Sequence, residues 1–458
     1  MRRFISLISV LFLIFFLFTA CGEASDNTND DSNTDDTEVN DTEVNDTKVD
    51  DTEVDDTEVD DSDATSELEV KYQKADEHAA DVSKEIVAAN TGFAGDIFSA
   101  LSENGKNIMI SPLSISIALA MATNGASDEN LDEMKDVMGF DAMTMDEVNT
   151  QFYKLINCLV DADKDLVLSI ANSIWMDNDF EPRVKEAFLS ALEDSYNAEP
   201  YTLDFADASA PDTINDWVFE HTNGKIEKIV EQIGADTIMY LINAIYFKAA
   251  WTVTFDEENT YEGTFTKSDD TTVQVDLMTF KESQEFDFYS SGYEDGTYSV
   301  VRLPYGRDKF AFYGIIPNGN GTVDDLVADM KENGIDKYFQ NLQKGETPVI
   351  LPKFKFEWEE SLVDIFKSLG MEKAFLEGGF LNIAEDGEGI YISDIKHKTF
   401  IEVNEEGTEA AAVTSVEFGE TSMPNGFYGT KPFVYIIRDD RSGTILFMGK
   451  VEDPTVEK

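Results

Sequence analysis

Residues 405–418 read Glu405-Glu406-Gly407-Thr408-Glu409-Ala410-Ala411-Ala412-Val413-Thr414-Ser415-Val416-Glu417-Phe418. Successive residues of a strand point to opposite faces, so the segment divides into two sets. Thr408, Ala410, Ala412, Thr414, Val416 and Phe418 form an uncharged set. Glu409 and Glu417 fall in the other, with Ala411, Val413 and Ser415 between them. The uncharged set suits the inner face of a sheet. Against a permanent strand stand Gly407 and the alanine run, both poor strand formers. The turn formers Gly419, Pro424, Asn425 and Gly426 follow. The segment is compatible with two states, an exposed loop and a buried strand. An edge strand running into a small-residue loop is the plainer alternative.

The flanks carry a resemblance. Lys398-Thr399-Phe400-Ile401-Glu402-Val403-Asn404, running into Glu405–Ala411, resembles the hinge of serpins, the suicide inhibitors of proteases. Lys431-Pro432-Phe433 and Leu446-Phe447-Met448-Gly449-Lys450-Val451 resemble that family's carboxy-terminal signature. The likeness runs from about Thr91 to Pro454. It implies an α+β fold, a single large domain with three β-sheets surrounded by helices. It also implies an exposed reactive-centre loop over 405–430, with a hinge of Glu405, Gly407, Thr408, Glu409, Ala410, Ala411 and Ala412.

The chain has 458 residues and a net charge of −59, from 93 acidic against 34 basic residues. Length alone suggests about three domains, and single cores usually stop growing near ~300 residues. The resemblance argues instead for one large domain, 71–458, behind a tail. The charge excludes nucleic-acid backbone as a partner, keeps the chain soluble and disfavours anionic membrane surfaces.

Arg2 and Arg3 precede an apolar run from Phe4 to Phe18, then Thr19-Ala20-Cys21-Gly22. A charged start, a short apolar run and small residues read as a secretory signal over 1–20, too short for a stable transmembrane helix. Small residues before a cysteine resemble the lipobox of bacterial lipoproteins, with Phe18 where leucine is usual. Cys21 would then be lipidated and anchor the chain on the outer face of the cell membrane, or in a periplasm or outer membrane if the host has one. An ordinary cleaved signal with a chance cysteine, and secretion, is the alternative. An archaeal lipoprotein would carry the same signal. Residues 21–70 are acidic and repeat Asp-Thr-Glu-Val, as in Asp36–Val39 and Asp41–Val44. Such a segment has little to offset ordering entropy and extends by self-repulsion, so a disordered stalk is expected. A calcium role fails for want of an EF-hand loop: Asp161-Ala162-Asp163-Lys164-Asp165 is followed by Leu166 where glycine belongs.

Phe93, Ile97 and Leu101 recur four apart and Gly105 follows, a helix with a stop. Ile108–Ile110 reads as a short strand, and Ser111 as the cap of a helix with Pro112 in first position. Cys158 lies in the helical run Phe152–Leu159 and reads as a buried, inert thiol. Asn243 interrupts the apolar run Met239–Phe247 and, buried, needs a partner. The resemblance assigns further roles. Ser111 and Ser114 begin the family's shutter helix, and Ser114, Asn243 and His397 form the hydrogen-bonding shutter beneath two central strands that part. Trp251 marks the breach where the loop enters first.

Catalysis finds no support. His78, His221 and His397 are the histidines, and no Gly-x-Ser-x-Gly, HExxH, CxxC or phosphate loop is present. No enzyme activity, cofactor or metal is expected. The resemblance implies instead that a target endopeptidase attacks the loop, which inserts as a new central strand and traps it. The family's spacing, counted forward from the hinge glycine and back from Lys431-Pro432-Phe433, implies Thr421–Ser422 as the cleaved bond, with Phe418, Glu420 and Met423 as neighbouring alternatives. Thr421 suits the shallow pocket of an elastase-like or subtilisin-like serine protease; cysteine proteases are a further class. The expected inhibitor is a monomer. The rivals are a surface-anchored, noninhibitory binding protein on the same fold, and a secreted hydrolase dependent on His397.

Overall fold

The computed structural model describes residues 61–102, 105–160, 162–292, 294, 296–384, 387–408 and 425–457. The described residues form one unit, Asp60–Lys458. It opens with α1 (Asp61–Asp81), α2 (Lys84–Leu101), β1 (Ile108–Ile110), α3 (Pro112–Gly125), α4 (Asp128–Val137) and α5 (Met145–Leu159). There follow β2 (Leu166–Asp177), α6 (Glu186–Tyr196), β3 (Ala198–Leu203), α7 (Ala210–His221), β4 (Met239–Ala250), β5 (Tyr261–Thr266), β6 (Thr272–Thr279), β7 (Gln284–Ser290), β8 (Tyr298–Tyr305) and β9 (Phe310–Pro317). The carboxy-terminal part adds α8 (Val323–Asn333), β10 (Gln343–Thr347), β11 (Val349–Pro352), β12 (Phe354–Ser361), α9 (Val363–Leu369), β13 (Lys396–Val403), β14 (Gly407–Thr408), β15 (Phe427–Tyr428), β16 (Phe433–Asp439) and β17 (Thr444–Val451). This is an α+β architecture of helices around β-sheets, as the resemblance implies.

A seven-stranded sheet has the order β1-β17-β16-β9-β8-β7-β10. All eight residues of β9 and of β17 are buried, which explains their near-continuous apolar sequences. Gly449 belongs there because a Cβ would lie 2.4 Å from the Tyr435 ring and 2.6 Å from the Ile108 carbonyl oxygen. A second sheet runs β15-β11-β6-β5. The third layer is divided. One part is β14-β4-β2-β3 and the other the pair β12-β13. Three sheets were expected and four are found among the described residues, because β4 and β13 do not pair there. α7 covers β2 and β4 through a small separate cluster of Trp175, Ile214, Trp217, Ile242 and Ala244.

Ser111 caps α3 as its sequence position predicts, its Oγ accepting from the Ser114 N–H at 3.2 Å. Cys158 is fully buried in α5, and burial pushes its thiol pKa up. One boundary differs from expectation. α1 starts at Asp61, inside the 21–70 stretch read as unstructured. The Asp-Thr-Glu-Val repeat ends at Val59, and the sequence beyond gains alanines and other good helix formers. The rest of the expected stalk, the signal over 1–20 and Cys21 lie outside the described residues. No helix among the described residues is long and apolar enough to cross a membrane.

Lys450, wholly buried on β17, places its ammonium 3.0 Å from Asp324 and 3.2 Å from Glu452, itself 1% exposed. Removing one partner of a buried pair leaves an uncompensated charge. Lys450→Met is expected to destabilise the fold by about 3–5 kcal/mol, read as a fall in the urea midpoint; an unchanged midpoint would refute the pair's role.

Candidate functional site

β13 ends at Val403, and after three intervening residues the chain pairs again. Gly407 lies opposite Ala250 and Thr408 opposite Ala249, antiparallel at the end of β4. Gly407 has φ +153°, and a Cβ there would sit 2.0 Å from the Ala249 carbonyl oxygen. Only glycine permits that approach. Asn404 shapes the turn between the strands. Its N–H donates to the Gly407 carbonyl at 2.9 Å, and its Oδ1 accepts from the N–H groups of Glu406 and Gly407.

Two aromatic residues hold this turn. The Trp251 indole N–H donates to the Asn404 carbonyl at 2.8 Å. Its backbone N–H donates to Glu406, and that of Phe255 to Glu405. The Trp251 ring stacks on Tyr305 at 4.5 Å and meets Phe255 and Phe312 edge-on. Glu405 is 2% exposed. Its carboxylate accepts from the Thr260 hydroxyl at 2.7 Å and lies 3.1 Å from the Lys353 ammonium.

These contacts correct the expected loop boundaries. Of 405–430, the first residues are built into the sheet: Glu405 and Gly407 are buried and Thr408 is paired. At the far end Phe427 is buried and β15 pairs in parallel with β11, Val349 opposite Phe427. Backbone hydrogen bonds and burial tie down both ends. Glu409, Ala410, Ala411, Ala412, Phe418, Glu420, Thr421, Ser422 and Met423 lie outside the described residues.

Below β14 a cleft separates β4 from β13. Ile245, Tyr246 and Phe247 line one wall, and Thr399, Phe400, Ile401 and Glu402 the other. Met109, Ile437 and Phe447 form its floor, with Thr222, Lys225 and Ile226 on the α7 side. Its volume is about 30 Å³, enough for a water or two and far short of a strand. A strand entering here must part the walls.

The expected shutter residues fall into two groups rather than one. His397 Nε2 accepts from the Ser111 N–H at 3.0 Å, and the Ser111 hydroxyl donates to the Leu446 carbonyl. Ser114 sits one helical turn beyond, its N–H bound to Ser111 Oγ. Asn243 instead donates to Asn172 Oδ1 on the neighbouring strand at 2.8 Å, and Asn172 donates to the Tyr196 carbonyl. Asn243 Oδ1 is buried without a partner among the described residues. Asn243 and His397 stand on strands that do not pair, so no bond between them forms in this state. Sequence reading missed the roles of Thr260, Lys353, Asn172 and Asn404. Thr260 meets Glu405 across 145 residues, and nothing local marks such a pairing.

The model of the family described as "Serpin (serine protease inhibitor)" matches residues 88–454. Neuroserpin of Gallus gallus is 34% identical over 361 residues, covering 76% of this chain and 86% of that protein. The native-state structure of tengpin, a thermophilic serpin, matches with TM-score 0.71 at 30% identity, covering 81% of this chain and 95% of that one. Human thyroxine-binding globulin complexed with thyroxine matches with TM-score 0.71 at 29% identity, covering 81% and 99%. The chain belongs to the serpin family.

Burial pushes the His397 pKa from the ordinary 6.5 down to about 3. The ring is neutral, with Nε2 as acceptor and its proton on Nδ1. Between pH 6.5 and 3 the unfolded chain binds a proton there that the folded chain does not. This contribution to stability is therefore complete above 6.5 and lost as pH falls, at about 1.4 kcal/mol per unit. Going from about pH 7 to about pH 5 is expected to remove about 2 kcal/mol through His397. The check compares urea midpoints at both pH values for the native chain and His397→Gln. An equal pH dependence in the two would refute it.

Proposed function

We propose that the chain is a suicide-substrate inhibitor of serine endopeptidases, reaching also to cysteine endopeptidases, with no catalytic activity of its own. The observation that carries this reading is the two-residue strand β14 at the mouth of the cleft. Gly407 and Thr408 already occupy the first two positions of a strand between β4 and β13.

Extending the β14 register along β4 would bring Ala410 opposite Phe247, Ala412 opposite Ile245 and Thr414 opposite Asn243. Phe247 and Ile245 pack toward the main core, so the uncharged set Thr408, Ala410, Ala412 and Thr414 would face inward. Glu409 would face outward opposite the exposed Lys248, a favourable cross-strand pair. Extending the Asn404–Gly407 turn along β13 brings Thr414 opposite His397. Both registers thus converge on Thr414 between the two halves of the shutter. There its hydroxyl could donate to the Asn243 oxygen that is unpartnered in the present state. Small inward residues, an added ladder and a satisfied buried acceptor all favour insertion.

The protease would cleave Thr421–Ser422 while the loop is exposed and be carried with Thr421 as the loop inserts. The acyl bond forms between the protease nucleophile and the Thr421 carbonyl carbon, and the amine of Ser422 leaves. Thr421 favours an elastase-like or subtilisin-like target. The inhibitor acts as a monomer, exported behind the 1–20 signal and anchored through lipidated Cys21 on the outer face of the cell membrane, in the manner of bacterial or archaeal lipoproteins. Cys21→Ser should release it.

Mixed with subtilisin or elastase, the protein is expected to give a complex that survives denaturant, with a new terminus at Ser422. Cleavage without a complex and without a rise in melting temperature would refute insertion and leave the noninhibitory binding role. Thr408→Arg should convert the inhibitor into a substrate, because the guanidinium would have to enter the core. Trapping of protease at unchanged stoichiometry by that variant would contradict the inward assignment.

A further inference from the structure

α1 lies ahead of the family-matched residues 88–454, yet its second half is docked on the domain. Ala75 and Ala79 are buried, at 2% and 4% exposure. The His78 ring meets Tyr153 of α5 edge-on at 6.1 Å, and Lys154 of α5 donates to the Asp81 carbonyl. Asp76 reaches further. Both its oxygens accept from the Lys309 ammonium, at 2.8 and 2.9 Å, and Oδ1 accepts from Arg441 at 3.0 Å. The Arg307 guanidinium lies over the Tyr72 ring, 5.8 Å from its centroid. Arg307 and Lys309 belong to the turn between β8 and β9.

That turn also backs the end of β4, on the edge opposite the one that meets Glu406 and Gly407. The Gly306 N–H donates to the Ala250 carbonyl at 2.9 Å, and the Thr252 N–H to the Pro304 carbonyl at 2.8 Å. The Thr252 hydroxyl donates to the Gly306 carbonyl, and Trp251 bridges to Tyr305. Ala250 is the residue opposite Gly407. A continuous chain of contacts therefore runs from α1 through the 305–309 turn to the end of β4 that receives the loop.

We propose that α1 is a strap on the cleft mouth: docked, it clamps the β8–β9 turn against the end of β4 and slows strand entry between β4 and β13. The proposal rests on the insertion reading above. Partial burial raises the Asp76 pKa, but the bonds from Lys309 and Arg441 outweigh it and hold the carboxyl below its ordinary value, so the clamp is charged at neutral pH. Detaching α1 frees the turn, and entry accelerates.

The test uses the full chain and a synthetic peptide with the sequence of residues 408–418, whose annealing into the cleft is followed by tryptophan fluorescence and native gel. Asp76→Ala removes the clamp, and Ala75→Glu forces a charge into the docked face. Both are expected to raise the annealing rate, by about fivefold for the partly exposed Asp76 pairs, whereas Lys74→Ala on the exposed face leaves it unchanged. A wild-type rate in a folded Ala75→Glu, or in Asp76→Ala should the former not fold, overturns the strap. If the wild-type chain takes up no peptide, the insertion reading itself falls; peptide uptake at equal rates in all variants removes only the strap.

Discussion

β4 and β13 face each other without forming a ladder, and the rest of the molecule is arranged around that divide. β4 pairs on one side with β2, and β13 with β12. Each turns its other edge toward the cleft, over a floor supplied by β1, β16 and β17. A sheet parted in this way is less favourable than a continuous one, since an added strand would bring a second ladder to both edges and bury more apolar surface. The cleft is too narrow to admit a strand unless its walls move. Any gain from an added strand would therefore lie behind a barrier.

Polar and aromatic contacts hold the mouth of the cleft. Glu405 and Lys353 form an ion pair whose carboxylate end is sealed from solvent. Such pairs contribute little net stability but are costly to break, so they fix geometry well. Here the pair, with Trp251 and Asn404, fixes the turn so that Gly407 and Thr408 enter the sheet in one register. Gly407 lets the backbone pass at contact distance from Ala249, where a side chain would jam. Contacts from α1 reach the same place from the opposite side through the β8–β9 turn. Lower down, His397 and Asn243 each hold a separate strand to the core, and the shutter is two half-networks until something lies between them.

Several features were legible along the chain. The cap at Ser111, the strand at Ile108–Ile110, the helix around Cys158 and the serpin fold follow from local pattern and motif. The shutter grouping was not legible: a list of polar residues on apolar strands does not say which pair is bonded in which state. Nor was the docking of α1, whose few apolar contacts sit among charged residues and meet partners from Tyr153 to Arg441.

By itself the sequence determined which residues can form an inward strand face, where the glycine hinge lies, and the strongly acidic character of the chain. These follow from side-chain chemistry at fixed spacing, which needs no partner to be read. The tertiary structure decided that Glu405 is buried against Lys353, that Asn243 pairs with Asn172, and that the cleft closes to about 30 Å³ beneath a two-residue strand. Those outcomes depend on groups up to hundreds of residues apart being brought within hydrogen-bond distance. Burial makes an unpartnered polar group costly, and only the packed fold establishes which partners are in reach.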